Sequence, residues 1–297
     1  MAASDEFPRE HPHIFIAGGG AVERYRRRNQ RIDPRLLPRR DRAAHAAALE
    51  AAIGAALAGA REQMGGRDPT LATGVPGFYL EVVVPGGERT VIDKLANRQQ
   101  GMEVVAVSDG GPDGSITASV FVPVRAENYY LTKVEAYRDR VTDAGRPRNE
   151  PLVACIETVR LGSARSLFTD DDALFPRDSG ERVWWEVWLR AGRREAFEGL
   201  ARAMDLELRR HAVKFPEREV VLVLSGTAAL DRLVAHSDVV AELRRAKDTP
   251  AFFLGLGGAE QRAWTAELLE RVVQPAPGSI VAICLLDSGV RRTHPLI

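Results

Sequence analysis

The sequence predicts a mixed α/β and α+β chain: two tandem β-α-β-β-α-β units, followed by the first helix and strand of a parallel-sheet domain. Three observations carry this. Runs of β-branched and aromatic residues alternate with helical patterns in that order twice between residues 73 and 257. Turn chemistry rich in glycine, proline and aspartate separates the runs. A wholly apolar stretch, Ile280–Leu286, follows only near the end, as a strand covered on both faces requires. The 297 residues suit roughly two domains at about 150 residues each.

Composition narrows the function classes. Apolar residues make up 45% and charged residues 28%, which fits a core-forming chain and not a disordered one. Forty-one basic side chains balance 41 acidic ones, so net charge gives no reason to expect a nucleic-acid or membrane-surface partner. No run reaches the 18 or more uninterrupted apolar residues of a membrane span. The charged, proline-containing start is unlike a signal peptide. Two sparse cysteines, Cys155 and Cys284, argue against a disulfide framework or a thiolate zinc site. Four lysines against abundant arginine and alanine read as the bias of a GC-rich bacterial genome, and a cytoplasmic location is expected.

Residues 1–40 form a basic arm. Nine arginines meet three acids from Val22 to Arg42, a docking or solvated segment; upstream, Gly18-Gly19-Gly20 lacks the rest of a phosphate-loop pattern and reads as a hinge. Residues 41–72 carry an alanine-rich helix over Asp41–Gln63, with Leu49, Ile53 and Leu57 on one narrow stripe and His45 packing on the same face. In the first unit, residues 73–163, strands are expected at Phe78–Val84, Met102–Val107, Ile116–Val124 and Pro151–Val159, with helices at Thr90–Asn97 and Asn128–Val141. In the second, residues 179–257, strands are expected at Val183–Leu189, around Ala212–Lys214, at Val220–Leu224 and at Ala251–Leu254, with helices at Arg193–Arg209 and Ala228–Lys247. This order is the split βαβ, or ferredoxin-like, arrangement. Residues 258–297 read as a helix over Ala259–Val273, a Pro-Ala-Pro-Gly break and the apolar strand.

The chemistry sits at the end of that strand. Asp287 interrupts the apolar run, followed by Ser288-Gly289-Val290 and, three residues later, His294-Pro295. Working residues of open parallel sheets lie just outside the carboxyl ends of the strands. A carboxylate there can accept a histidine Nδ1–H, fix its tautomer and stabilise the imidazolium of acyl transfer. Gly289 lets the chain turn without a Cβ clash.

Apolar strand, Asp287-Ser288-Gly289-Val290 and His294-Pro295 together resemble the aspartate motif of subtilisin-like serine peptidases, the subtilases. One departure is Leu296, where the family usually carries an acid. The resemblance implies that Asp287 is the triad aspartate, with Ser288, Gly289, His294 and Pro295 supporting the motif. Triads of this family run Asp, His, Ser along the chain. The histidine and serine motifs expected downstream are absent, so the 297 residues alone are expected to be inactive. Family propeptides are commonly small ferredoxin-like domains immediately before the catalytic domain, which implies that role for residues 181–257. More distantly, His13–Ile16, the arginine arm and Arg40-Asp41-Arg42-Ala43-Ala44-His45 resemble the front of large bacterial subtilases paired with an AAA+ ATPase in anti-phage defence. The implied partners are a polypeptide substrate, that ATPase, and the catalytic domain as a dock for the second unit. No cofactor is expected, with structural calcium in a complete catalytic domain left open. The alternative is a non-catalytic binding or protease-inhibitor module of two such units; fold alone does not decide.

Weaker candidates have plainer readings. Ser225 stands between a strand and a helix without the nucleophile-elbow frame, so capping by Ser225 or Thr227 is expected. Asp170, Asp171 and Asp172 lack calcium-loop spacing and read as a solvated loop. His11 and His13 are a weak pair in the arm. Strand alternation puts Trp184 and Trp188 on one face and Trp185 on the other.

Overall fold

A computed structural model describes residues 37–68, 75–85, 89–109, 114–247 and 250–272. Among the described residues the chain is mixed α and β, with two four-stranded antiparallel sheets. Helix α1 (Arg42–Gly65) begins where the Asp41 carboxylate accepts the Ala44 N–H and ends at Gly65-Gly66. Its apolar stripe, Leu49, Ile53 and Leu57, is buried. By length and composition this helix could cross a membrane; here that stripe belongs to the first core.

The first sheet contains β1 (Gly77–Val84), β2 (Glu103–Asp109), β3 (Ile116–Pro123) and β4 (Thr158–Leu161), in spatial order β2-β3-β1-β4. Helix α2 (Arg89–Leu95) joins β1 to β2, and α3 (Tyr129–Asp139) with the short α4 (Glu150–Val153) joins β3 to β4. Alternation along β1 divides its side chains. Phe78, Leu80, Val82 and Val84 meet Leu49 and Ile53 of α1 and Tyr130 and Val134 of α3 in one core. Tyr79 points the other way and belongs to the second core.

The second sheet contains β5 (Val183–Arg190), β6 (Glu207–Lys214), β7 (Arg218–Ser225) and β8 (Val240–Arg245), in order β6-β7-β5-β8. Helices α5 (Arg194–Ala203) and α6 (Thr227–His236) supply Phe197, Leu200, Leu230 and Leu233 to a core with Trp185, Val187 and Leu189. Gly226 is required before α6, because a Cβ there would lie 2.4 Å from the Ser179 carbonyl oxygen. Beyond the sheet, α7 (Pro250–Gly255) and α8 (Gly258–Arg271) follow, and no residue of α8 is buried.

Four expected elements differ. Pro151–Val159 is not one strand: Pro151 sits in the first turn of α4, where its missing N–H costs nothing, and the strand is Thr158–Leu161. The helix expected over Arg193–Arg209 stops at Ala203, where Asp205 takes a φ of 55°, freeing Glu207–Lys214 to form a full edge strand. The helix expected over Ala228–Lys247 stops at His236. Ser237 is extended, its hydroxyl donates back to the Leu233 carbonyl, and β8 begins three residues later at Val240, pairing with β5. Ala251–Leu254, expected as the last strand, lies within helix α7, which opens on Pro250.

Candidate functional site

Asp287, Ser288, Gly289, His294 and Pro295 lie outside the described residues, as do Cys284, His11, His13, the Gly18–Gly20 hinge and most of the arginine arm. Among the described residues, one face of the second sheet carries two partly buried tryptophans.

Strand β5 reads Val-Trp-Trp-Glu-Val-Trp-Leu-Arg, and its burial alternates strictly. Val183, Trp185, Val187 and Leu189 face α5 and α6; Trp184, Glu186 and Trp188 face outward and remain half-exposed. The Trp185 indole N–H donates to the Ser225 carbonyl at 2.9 Å, fixing the buried ring. On the outer face, Trp184 pairs with Leu224 and Glu186 with Leu222 across β7, while Glu186 pairs with Arg244 across β8. Beside them Val213 is 58% and Phe215 44% exposed.

Arginines and a second ring hold the two outer tryptophans in place. Arg209 lies 4.4 Å from the Trp184 ring centroid, and Arg244 lies 4.7 Å from that of Trp188. Phe215 stacks on Trp188 with centroids 5.4 Å apart and planes 10° from parallel. The Trp188 indole N–H is buried beneath these groups without a hydrogen-bond acceptor among the described residues. An aromatic and aliphatic sheet face bordered by arginines can bury apolar surface and pair with acids at its rim, which is the chemistry of protein docking.

The other sequence candidates have structural occupations. Asp170 accepts the Arg245 N–H and the Lys247 ammonium, each near 2.8–2.9 Å. Asp171 caps the turn at Ala173, and Asp172 pairs with Arg165 at 2.9 Å. They border a cleft of about 510 Å³ in which Glu81 also pairs with Arg160. Among the described residues no group of three or more His, Cys, Asp or Glu side chains is placed to hold a metal ion.

Ser225 is buried, with no hydrogen-bond partner for its hydroxyl among the described residues. The expected cap is absent: Gly226 occupies the N-cap of α6, and no side chain caps it.

The Arg40–His45 string tethers helix ends. Arg42 donates through Nε to the Tyr137 carbonyl at 2.6 Å and through Nη2 to the Arg140 carbonyl at 2.9 Å, closing the end of α3. Arg40 donates to the Ala154 carbonyl at 2.8 Å and pairs with Glu157. The His45 Nε2 lies 3.1 Å from the Val153 carbonyl, with the ring edge-on to Tyr137. Burial holds the His45 imidazole below its ordinary value. Sequence pattern alone did not reveal this tethering, whose signal is an arginine immediately on either side of the N-capping aspartate, Arg40-Asp41-Arg42.

No protein-family model matches the chain, and no curated protein matches it either.

Proposed function

We propose that this chain is the N-terminal regulatory region and catalytic start of a subtilisin-like serine endopeptidase, with the second sheet acting as a propeptide-like dock. One observation carries the reading: the Asp287-Ser288-Gly289-Val290…His294-Pro295 string, placed after an apolar strand and downstream of a small α+β unit. Both sheets have the order and antiparallel sense of a split βαβ unit, which supports reading them as tandem ferredoxin-like domains. The half-exposed Trp184–Trp188 face supports docking on a catalytic domain.

In the complete enzyme, Asp287 would hold a histidine in the tautomer that deprotonates the serine, both supplied further along. The oxyanion hole would also come from there. The substrate would be a polypeptide and the cell bacterial, with an AAA+ ATPase as working partner in anti-phage defence. The partly buried tryptophan face equally suits a second reading, a binding module that inhibits a separate protease.

The test is an active-site serine probe applied to the product of the full reading frame containing this sequence. Labelling is expected, and Asp287→Asn should lower peptide turnover by about 10⁴, the loss a wrongly held histidine tautomer produces. Unchanged turnover in Asp287→Asn overturns the assignment; absence of any labelled product favours the binding module.

A further inference from the structure

The seam between the two sheets is built as an interior. Tyr79, Val105, Ala106 and Phe121 leave the first sheet to join the core that contains Trp185, Leu243 and Phe168. Tyr79 and Phe121 meet edge to face at 5.6 Å, and each is 1% exposed. The Tyr79 hydroxyl donates to the Val240 carbonyl of β8 at 2.6 Å, a buried bond between the two sheets. Gly162, where the chain leaves the first sheet, has no room for a Cβ, which would lie 2.6 Å from the Tyr79 Cβ.

Charge closes the rim of the seam. The Glu103 carboxylate on β2 accepts from two arginines of the second sheet, from Arg190 Nε at 3.0 Å and Arg218 Nη2 at 2.7 Å. The Arg190 guanidinium lies 3.9 Å from the Phe121 ring centroid of the first sheet. Its Nη1 donates to the Asp238 carboxylate, which also meets Arg193 at 3.1 Å and the Val75 N–H at 3.3 Å. Arg67 bridges near the same carboxylate, donating to the Gly77 carbonyl at 2.6 Å and to the Ala235 carbonyl at the end of α6 at 2.7 Å. Between the sheets, the Ala164 N–H donates to Asp231 of α6.

Polar, loosely packed contacts are the usual join between domains that move independently. Here aromatic rings and a buried inter-sheet hydrogen bond are shared, so opening the seam exposes interior from both halves. We propose that the two sheets fold and unfold as one cooperative body spanning residues 37–245, whose first half completes the core of the second. Resting on the protease reading above, the regulatory element is then this whole body, which docks and departs as one piece.

The experiment is urea unfolding of the full chain with one reporter in each half. Tryptophan fluorescence follows Trp184, Trp185 and Trp188 in a Trp264→Phe background. Thiol labelling follows the buried Cys155, which lies in the first core, in a Cys284→Ser background. The variant is Leu95→Ala, fully buried in the first core and not a member of the second core that the seam residues join. Both reporters should shift together to the same lower midpoint. Should Cys155 become reactive at lower urea while the tryptophan midpoint stays in place, the cooperative body is overturned. If Leu95→Ala fails to fold, Val134→Ala in the same core gives the same comparison. This outcome is independent of serine-probe labelling, so either proposal can fail alone. The regulatory step is read in the full-length product: Glu103→Gln should raise its basal turnover at least twofold, and unchanged turnover beside a decoupled seam overturns that step.

Discussion

The Tyr79 hydroxyl reaches from the face of β1 that joins the second core to the Val240 carbonyl at the start of β8, 161 residues further along the chain, and donates to it at 2.6 Å in the interior. Burial raises the Tyr79 phenol well above its ordinary value, so it stays a neutral donor across the usable pH range. Replacing it by phenylalanine keeps the ring and leaves the Val240 carbonyl without that donor. Tyr79→Phe is expected to cost about 1–3 kcal/mol, the range for a stranded buried acceptor, measured by urea titration.

Asp238 sets a pH dependence. Its side chain is fully buried, and burial, opposed by Arg193 and Arg190, raises its carboxyl above the ordinary carboxylate value. A raised value means the folded chain binds this proton more tightly than the unfolded chain. The contribution of Asp238 to stability is therefore complete below the ordinary carboxylate range and declines as pH rises through its folded value. Asp238→Asn should flatten that decline in a series of thermal melts run upward from about pH 4, the ordinary carboxylate value; an unchanged slope contradicts the assignment.

The Arg42 tether is specific to a fork. One guanidinium serves both the Tyr137 and the Arg140 carbonyls. Arg42→Ala should lower stability by about 1.5–3 kcal/mol, the scale of charge-assisted bonds. Arg42→Lys should recover little of it, since an ammonium cannot match the two-nitrogen geometry. Thermal melts of the three proteins make the comparison.

Trp185 and Trp188 should behave oppositely despite their proximity. Trp185→Ala removes a fully buried ring and is expected to cost about 3–5 kcal/mol. Trp188→Ala, paired with Trp184→Ala on the half-exposed face, should spare most of the fold and weaken docking. In the full-length product the double variant is expected to raise basal peptide turnover; unchanged turnover removes this face from the proposed dock.

Sequence patterns reached some of this structure and missed the rest for identifiable reasons. The alternation in Val183–Leu189 separated Trp185 from Trp184 and Trp188, because a strand with one core face writes its geometry into every second residue. The stripe Leu49-Ile53-Leu57 located α1 in the same way. Helix ends were harder. Ala228–Lys247 carries helix-compatible residues at both ends, but Ser237 back-bonds to Leu233 and the residues after it pair with β5 as a strand, a long-range contact that local pattern does not encode. Pro151 and Pro250 begin helices here, a signal that was present and outweighed by neighbouring apolar residues. The seam itself could not be read from local pattern: Glu103, Arg190 and Arg218 are ordinary surface residue types until the two sheets meet.

Strand β6 gives the second sheet a lopsided character. It pairs with β7 on one side only, carries Arg209, Arg210 and Lys214, and loses register between Leu208 and Ala212. Positive charge and a kinked margin discourage a stranger's backbone from zipping on alongside. On the proposed docking reading, a guest is then kept from extending the sheet beside β6 and would lie across the tryptophans, where side-chain shape and not a backbone ladder is read.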